Sequence, residues 1–165
     1  MKSDALETAK CIESYIKSNE FTSAVSLIAK TILKTHRNKK LIAICGNGGS
    51  AADSAHWTGE LMCTYGVKER ESIGAISLCE NSSIITAWSN DFDYEEIFER
   101  QVEGLKNSLG LLIGLSTSGK SANIIKAIKK AKSYNIKTIM ITGNSLKKKL
   151  DCDSVVEIPS ESTST

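Results

Sequence analysis

The chain carries a single proline, Pro159, close to its end, and has no internal repeat and no low-complexity linker. Nothing therefore cuts its 165 residues into separately folding pieces, and one domain with a core of ordinary size is expected. Charge of one sign is also missing. The 21 basic and 19 acidic residues leave a formal +2, which gives no general pull toward nucleic acid or a membrane surface. The basic cluster Lys147 to Lys149 reads as a solvated helix face. Uninterrupted apolar runs of the roughly 18 residues that span a bilayer are absent, and MKSDALETAK has no signal-peptide core. A cytoplasmic location is expected. The five cysteines, at 11, 45, 63, 79 and 152, show no CxxC spacing, which argues against a zinc ribbon or a dithiol redox motif. Nothing beside Cys45 marks it as an activated nucleophile.

What the sequence does have is alternation. Residues 4 to 18 and 21 to 36 read as amphipathic helices, the second with Val25, Ile28, Ala29, Ile32 and Leu33 at helical spacing. From residue 40, five apolar runs follow: 41 to 45, 73 to 78, 109 to 116, 136 to 142 and 154 to 158. Helical patterns near 51 to 63, 82 to 88, 93 to 106 and 121 to 133 separate them. Parallel strands need crossovers, and crossovers cover both sheet faces, so the pattern predicts an α/β three-layer sandwich on a five-stranded parallel sheet. In such sheets ligands bind beyond the carboxyl ends of the strands.

Two loops fall at those ends. GNGGS, 46 to 50, follows the first strand, and STSGKS, 116 to 121, follows the third. Each leads into a helix whose first amides and dipole favour an anion, and Ser50, Ser116, Thr117, Ser118 and Ser121 add neutral hydroxyl donors. The pair suits a phosphate ester. Neither loop has the GxGxxG or GxxxxGK[ST] spacing of nucleotide-binding turns. Plain strand-to-helix turns, with Ser50 and Asp53 as a capping pair, remain the alternative.

His56 and Glu60 are four residues apart and share a helix face, a turn or two beyond the first loop. A carboxylate there can move a proton, and an imidazole beside it can relay one or hold a metal. On an ordinary surface helix the same pair carries no function. His36, among Lys34, Arg37, Lys39 and Lys40, reads as a helix-end residue offsetting the dipole. In SNDFDYEEIFERQ, 89 to 101, Asn90 and Asp91 read as loop residues able to meet a polyhydroxylated substrate, with helix capping by Asp91 or Asp93 as the alternative.

Taken together, CGNGGSAADSAHWTGEL, the SNDF segment, ERQVEGL and GLSTSGKSANIIKAI resemble the SIS (sugar isomerase) domain proteins, and within them the phosphoheptose isomerases, in order and spacing from about residue 40 to 160. The resemblance implies one SIS domain with helices over 1 to 38 and a flavodoxin-like core over 39 to 165, assembled as a homotetramer with sites at subunit boundaries. It implies conversion of sedoheptulose 7-phosphate to D-glycero-D-manno-heptose 7-phosphate, for bacterial lipopolysaccharide or capsule. By the same resemblance Ser50, Ser116, Ser118 and Ser121 hold the phosphate, and Asn47, Gly48, Gly49 and Thr117 shape the pocket. Asp91 meets the sugar, Glu60 moves a proton between C1 and C2, and His56 with Glu60 supplies two ligands to a zinc ion.

The sequence departs from that pattern in two places. Thr64 stands where the family has an arginine after its Glu-Leu dipeptide, and family members continue past the segment matching PSESTST into a helix with a glutamine and a histidine. The expectation is a chain that binds phosphosugar and turns it over poorly or not at all. Two other readings share the fold: a non-catalytic, replication-initiator-associating adaptor, which lacks the His and Glu pair, and a phosphosugar sensor, for which no helix-turn-helix is visible.

Overall fold

A computed structural model describes residues 2 to 144 and 150 to 160. The basic cluster at 147 to 149 lies outside the described residues. Two helices, α1 (Lys2–Ile16) and α2 (Asn19–Arg37), precede β1 (Leu41–Gly46) and α3 (Gly49–Met62). Then come β2 (Ala75–Ser77), α4 (Ser82–Asp91), a 3-10 turn (Tyr94–Glu96) and α5 (Ile97–Leu105). The chain continues through β3 (Leu109–Leu115), α6 (Ala122–Ser133), β4 (Lys137–Gly143) and β5 (Ser154–Ile158). All five strands pair in parallel, in the order β2-β1-β3-β4-β5.

Strand alternation divides the core in two. Ala43, Cys45, Leu112 and Met140 face α5 and α6, where Phe98, Val102, Ile124, Ala127 and Ile128 are buried with them. Ile42, Ile44, Leu111, Ile113 and Ile139 face the other way, onto Ile32 and Ile28 of α2 and Trp57 and Leu61 of α3. Because helices cover both faces, the central strands are apolar at nearly every position, which is why they read as continuous runs in the sequence. Gly114 in β3 fits this packing closely: a Cβ there would stand 2.6 Å from Cγ2 of Ile124.

The N-terminal pair is less covered. Ser18 accepts from the Phe21 amide at 3.1 Å and caps α2, and α1 packs on α2. Leu6, Ile12 and Ile16 of α1 and Val25 and Leu33 of α2 stay exposed. His36 lies in the last turn of α2, 3.4 Å from the Glu71 carboxylate. No helix among the described residues is long and apolar enough to cross a membrane.

Candidate functional site

The strand order places the reversal of winding at β1, with β2 on one side and β3 on the other. The crevice beyond the carboxyl ends of β1 and β3 is therefore where an open α/β sheet of this type receives a ligand. Both serine-rich loops end there.

The first loop is two residues long, Asn47 and Gly48. Gly46 allows the tight return, since a Cβ on it would stand 2.5 Å from the Ser50 carbonyl oxygen. Gly48 takes φ +58, a region that costs other residues strain, and serves as N-cap with no side-chain bond. The helix thus begins at Gly49, and Ser50 sits inside its first turn rather than forming a capping pair with Asp53. The Ser50 and Ala51 amides close on the Asn47 and Gly48 carbonyls at 3.1 Å each. This leaves the Ser50 hydroxyl and the positive end of α3 for an anion.

In the second loop the buried Ser116 hydroxyl lies 2.9 Å from that of Ser121. Ser121 is the N-cap of α6, yet its hydroxyl faces Ser116 instead of capping the helix. Gly119, at φ +63, closes the turn with its amide on the Ser116 carbonyl at 3.0 Å, and the Lys120 amide donates to Ser118 Oγ at 3.2 Å. The Thr117 carbonyl accepts from the Gly143 amide at 2.9 Å and from Thr142 Oγ1 at 3.3 Å, so the loop is docked on the end of β4.

A third segment reaches the same rim. The Tyr94 hydroxyl donates to Asn47 Oδ1 at 3.0 Å. Lys126 of α6 pairs with Glu95 at 3.2 Å, tying the 3-10 turn to the helix behind the second loop. Asn90 and Asp91 differ from the expectation of loop residues: they form the last turn of α4, with Asn90 Nδ2 donating to Asp91 Oδ1 at 2.8 Å. The helix, capped at its start by Asn81, continues through them and closes with the Phe92 amide on the Trp88 carbonyl at 2.9 Å. Asp93 does act as a cap, accepting from the Glu95 amide at 2.8 Å.

Asn47, Gly48, Gly49, Ser50, Ser116, Thr117, Ser118 and Ser121 thus gather at one edge of the sheet. His56 and Glu60 do not. They lie about two and three turns along α3, and at ~1.5 Å per residue Glu60 is on the order of 16 Å from Gly49. The Ile73 amide, just before β2, donates to the Leu61 carbonyl at 3.0 Å, which places this end of α3 at the opposite edge of the sheet. His56 Nε2 and Glu60 Oε1 are 3.6 Å apart, the imidazole 79% exposed and the carboxylate 33%. Among the described residues no third His, Cys, Asp or Glu joins them. A catalytic zinc takes three protein ligands, so this donor pair does not by itself fit one. Burial pushes the Cys45 thiol up, with Cys79 nearby adding to the shift, so it is no nucleophile at neutral pH.

Three residues that sequence reading passed over organise the site. Arg70 donates to the carbonyls that end α3, and Asn123 and Tyr94 hold Asn47. Their partners are 10, 76 and 47 residues away, separations that no local pattern signals.

The profile of the SIS domain matches residues 8–143. The chain belongs to the SIS domain family. Among SIS relatives it is 45% identical over 133 residues to the phosphoheptose isomerase of Helicobacter pylori (strain P12), covering 80% of this chain and 69% of that one. It is 39% identical over 152 residues to the phosphoheptose isomerase of Clostridium acetobutylicum, covering 92% and 77%. The fold is similar to the phosphoheptose isomerase structures from Neisseria gonorrhoeae (TM-score 0.82, 29% identity) and Francisella tularensis (TM-score 0.86, 26% identity). Each covers 98% of this chain and 85% of the other.

Proposed function

We propose that this SIS-domain chain is a ketose-aldose isomerase that converts sedoheptulose 7-phosphate to D-glycero-D-manno-heptose 7-phosphate, acting in the bacterial cytoplasm. The observation that carries this reading is the meeting, at the β1/β3 crevice, of the glycine turn that leads to Ser50 with the serine-rich second loop, in a chain whose relatives are phosphoheptose isomerases. Ser50, Ser116, Ser118 and Ser121 bind the phosphate, with two helix N-termini behind them. Gly48 and Gly49 let it approach closely. Asp91 orients sugar hydroxyls. Glu60 takes a proton from one of C1 and C2 and returns it to the other, so the intermediate is an enediol. His56, 3.6 Å from Glu60, orients that carboxylate or passes a proton on. Zinc is the family's expected cofactor, but because His56 and Glu60 find no further donor among the described residues, no step is assigned to it.

The distance along α3 bears on where the reaction takes place. Glu60 lies at the far edge of the sheet from the phosphate loops of its own chain, so its carboxylate serves a sugar held by another copy. We therefore propose a homotetramer with shared sites. The exposed Leu6, Ile12, Ile16, Val25 and Leu33 on α1 and α2 supply apolar surface for such an assembly.

Proton NMR of sedoheptulose 7-phosphate with the purified chain in deuterated buffer tests the reaction. Deuterium incorporation at C1 or C2 together with aldose product supports it. Tight binding with no exchange over days overturns the enzymatic reading and favours the adaptor.

A further inference from the structure

We propose that Asn123 and Tyr94 are positioning residues: with Asn47 they form a clasp that sets the spacing of the two anion loops. The inference rests on the phosphate reading of the site. Asn47 Nδ2 donates to Asn123 Oδ1 at 3.0 Å, and Asn123 Nδ2 donates back to Asn47 Oδ1 at 2.9 Å. The two amides close a ring between the tip of the first loop and the first turn of α6, two residues past Ser121.

The orientation of the ring is fixed. Asn123 Oδ1 also accepts from the Ile124 amide at 3.0 Å, so turning that side chain over would set a donor against a donor. Asn47 must then present its oxygen to Asn123 Nδ2, and the same oxygen takes the Tyr94 hydroxyl at 3.0 Å. Both lone pairs of Asn47 Oδ1 are filled. That oxygen belongs to the clasp and has no capacity left for a sugar hydroxyl.

Asn123 is only 3% exposed and Asn47 is half-buried, so the Asn123 side of the ring is shielded from water. Its consequence for binding follows from the distance tolerance of hydrogen bonds to an anion, a few tenths of an ångström. The hydroxyl of Ser50 comes from the first turn of α3, just past the first loop, and those of Ser116 and Ser121 from the second loop. A phosphate satisfied by both sets requires a fixed gap, and the clasp is the direct side-chain bridge across it. Tyr94 attaches the SNDFDY segment to the same point, so the part of the chain carrying Asp91 keeps register with the cradle.

The test uses the full chain and two readouts: calorimetric titration with inorganic phosphate and with sedoheptulose 7-phosphate, and the amide resonances of Gly48 and Gly119. Asn47→Ala, Asn123→Ala and the double variant form a cycle. Each single variant weakens phosphate binding about tenfold, the scale of one lost anion hydrogen bond. The double variant is no weaker than the weaker single one, and KM rises more than kcat falls. The Gly48 and Gly119 resonances both move in Asn123→Ala. Unchanged phosphate affinity, or losses that add, overturns the clasp.

If Asn123→Ala does not fold, Tyr94→Phe removes one exposed hydroxyl only. It weakens phosphate about threefold and shifts the Asn47 side-chain amide signal; no change in either overturns the role of Tyr94. A wild-type chain that binds phosphate without isomerising overturns the proposed reaction alone. One that binds no phosphate overturns both.

Discussion

Arg70 holds the main-chain carbonyl of Glu60: its Nη2 donates to that oxygen at 2.7 Å, and to the carbonyls of Leu61 and Cys63 at 3.0 Å each. Nη1 adds a bond to the Glu71 carbonyl at 2.8 Å. One guanidinium thus shares in satisfying the carbonyls that end α3, with the Ile73 amide on Leu61 and the Ser72 hydroxyl on Met62 completing them, and places a positive charge at the negative end of its dipole. Arg70→Ala is expected to cost about 1–3 kcal/mol, measured by denaturant unfolding at fixed protein concentration. Arg70→Lys restores the charge but not the planar fork, and recovers less than half of that loss.

Glu60→Gln keeps the shape of the side chain and removes its basicity. Deuterium exchange into the sugar phosphate is expected to fall by on the order of a hundredfold or more, the scale of general-base catalysis. Affinity for inorganic phosphate stays within about twofold, because Glu60 acts at C1 and C2, the end of the sugar remote from its 7-phosphate, in whichever copy holds it. A loss of affinity equal to the loss of rate would contradict this division of roles.

Shared sites make a further prediction about mixtures. Glu60→Gln and the double variant Ser116→Ala, Ser121→Ala are each expected to be inactive. Mixing them under conditions of subunit exchange restores activity, since some sites then combine an intact Glu60 with intact serines from different copies. Sizing chromatography of the mixture checks that exchange has taken place. No recovery after proven exchange would return the whole site to one chain.

Close packing at Gly46 predicts a local and costly defect. In Gly46→Ala the new methyl meets the Ser50 carbonyl oxygen at 2.5 Å, and that oxygen is backbone at the start of α3. The expected loss is about 1–3 kcal/mol, together with weaker phosphate binding. Gly104→Ala is the contrasting case: the site is helical, open within 4 Å, and the change should stabilise by about 0.5–1 kcal/mol.

Asp153 predicts acid sensitivity. Burial raises its carboxyl, but bonds from Thr138 Oγ1 at 3.0 Å and the Thr138 amide at 2.9 Å, with Lys137 nearby, bring the net shift below the usual carboxylate range. A carboxyl lowered on folding adds stability above its unfolded value, about 3.9, and loses that contribution as pH falls through the lower folded value. Unfolding followed from pH 6 to pH 2 should show the wild type losing more stability than Asp153→Asn. Equal slopes would contradict the assignment.

Much of this architecture is legible in the residues. Five strands and their intervening helices follow from the alternation of apolar runs with amphipathic segments, because parallel sheets covered on both faces bury whole strands. The two glycine- and serine-bearing junctions are legible as well, since those residues at a strand-to-helix junction suit a tight turn or an anion cradle. The helix boundaries are less legible: Gly48 at φ +58 moves the start of α3 ahead of Ser50, and α4 runs on past residue 88 to Asp91, where the Phe92 amide closes on the Trp88 carbonyl. Periodicity places His56 and Glu60 on one face correctly, but it says nothing of how far down the sheet that face runs. Arg70, Asn123 and Tyr94 act only across the folded structure, so their roles appear once the partners are adjacent.

The docking of the second loop on β4 has a consequence for motion. Thr117 is tied through Gly143 and Thr142, and the next residue, Asn144, donates to the Ser160 carbonyl at 2.9 Å. A side chain on Gly143 would strike the Ser160 and Thr117 oxygens at 2.7 Å and 2.9 Å, so the three stretches are in direct backbone contact. Whatever holds the serine loop in place therefore also bears on Ser160, and a shift at Ser160 reaches the loop through Gly143 and Asn144 without crossing the core. The rim is joined backbone to backbone from Thr117 through Gly143 to Ser160.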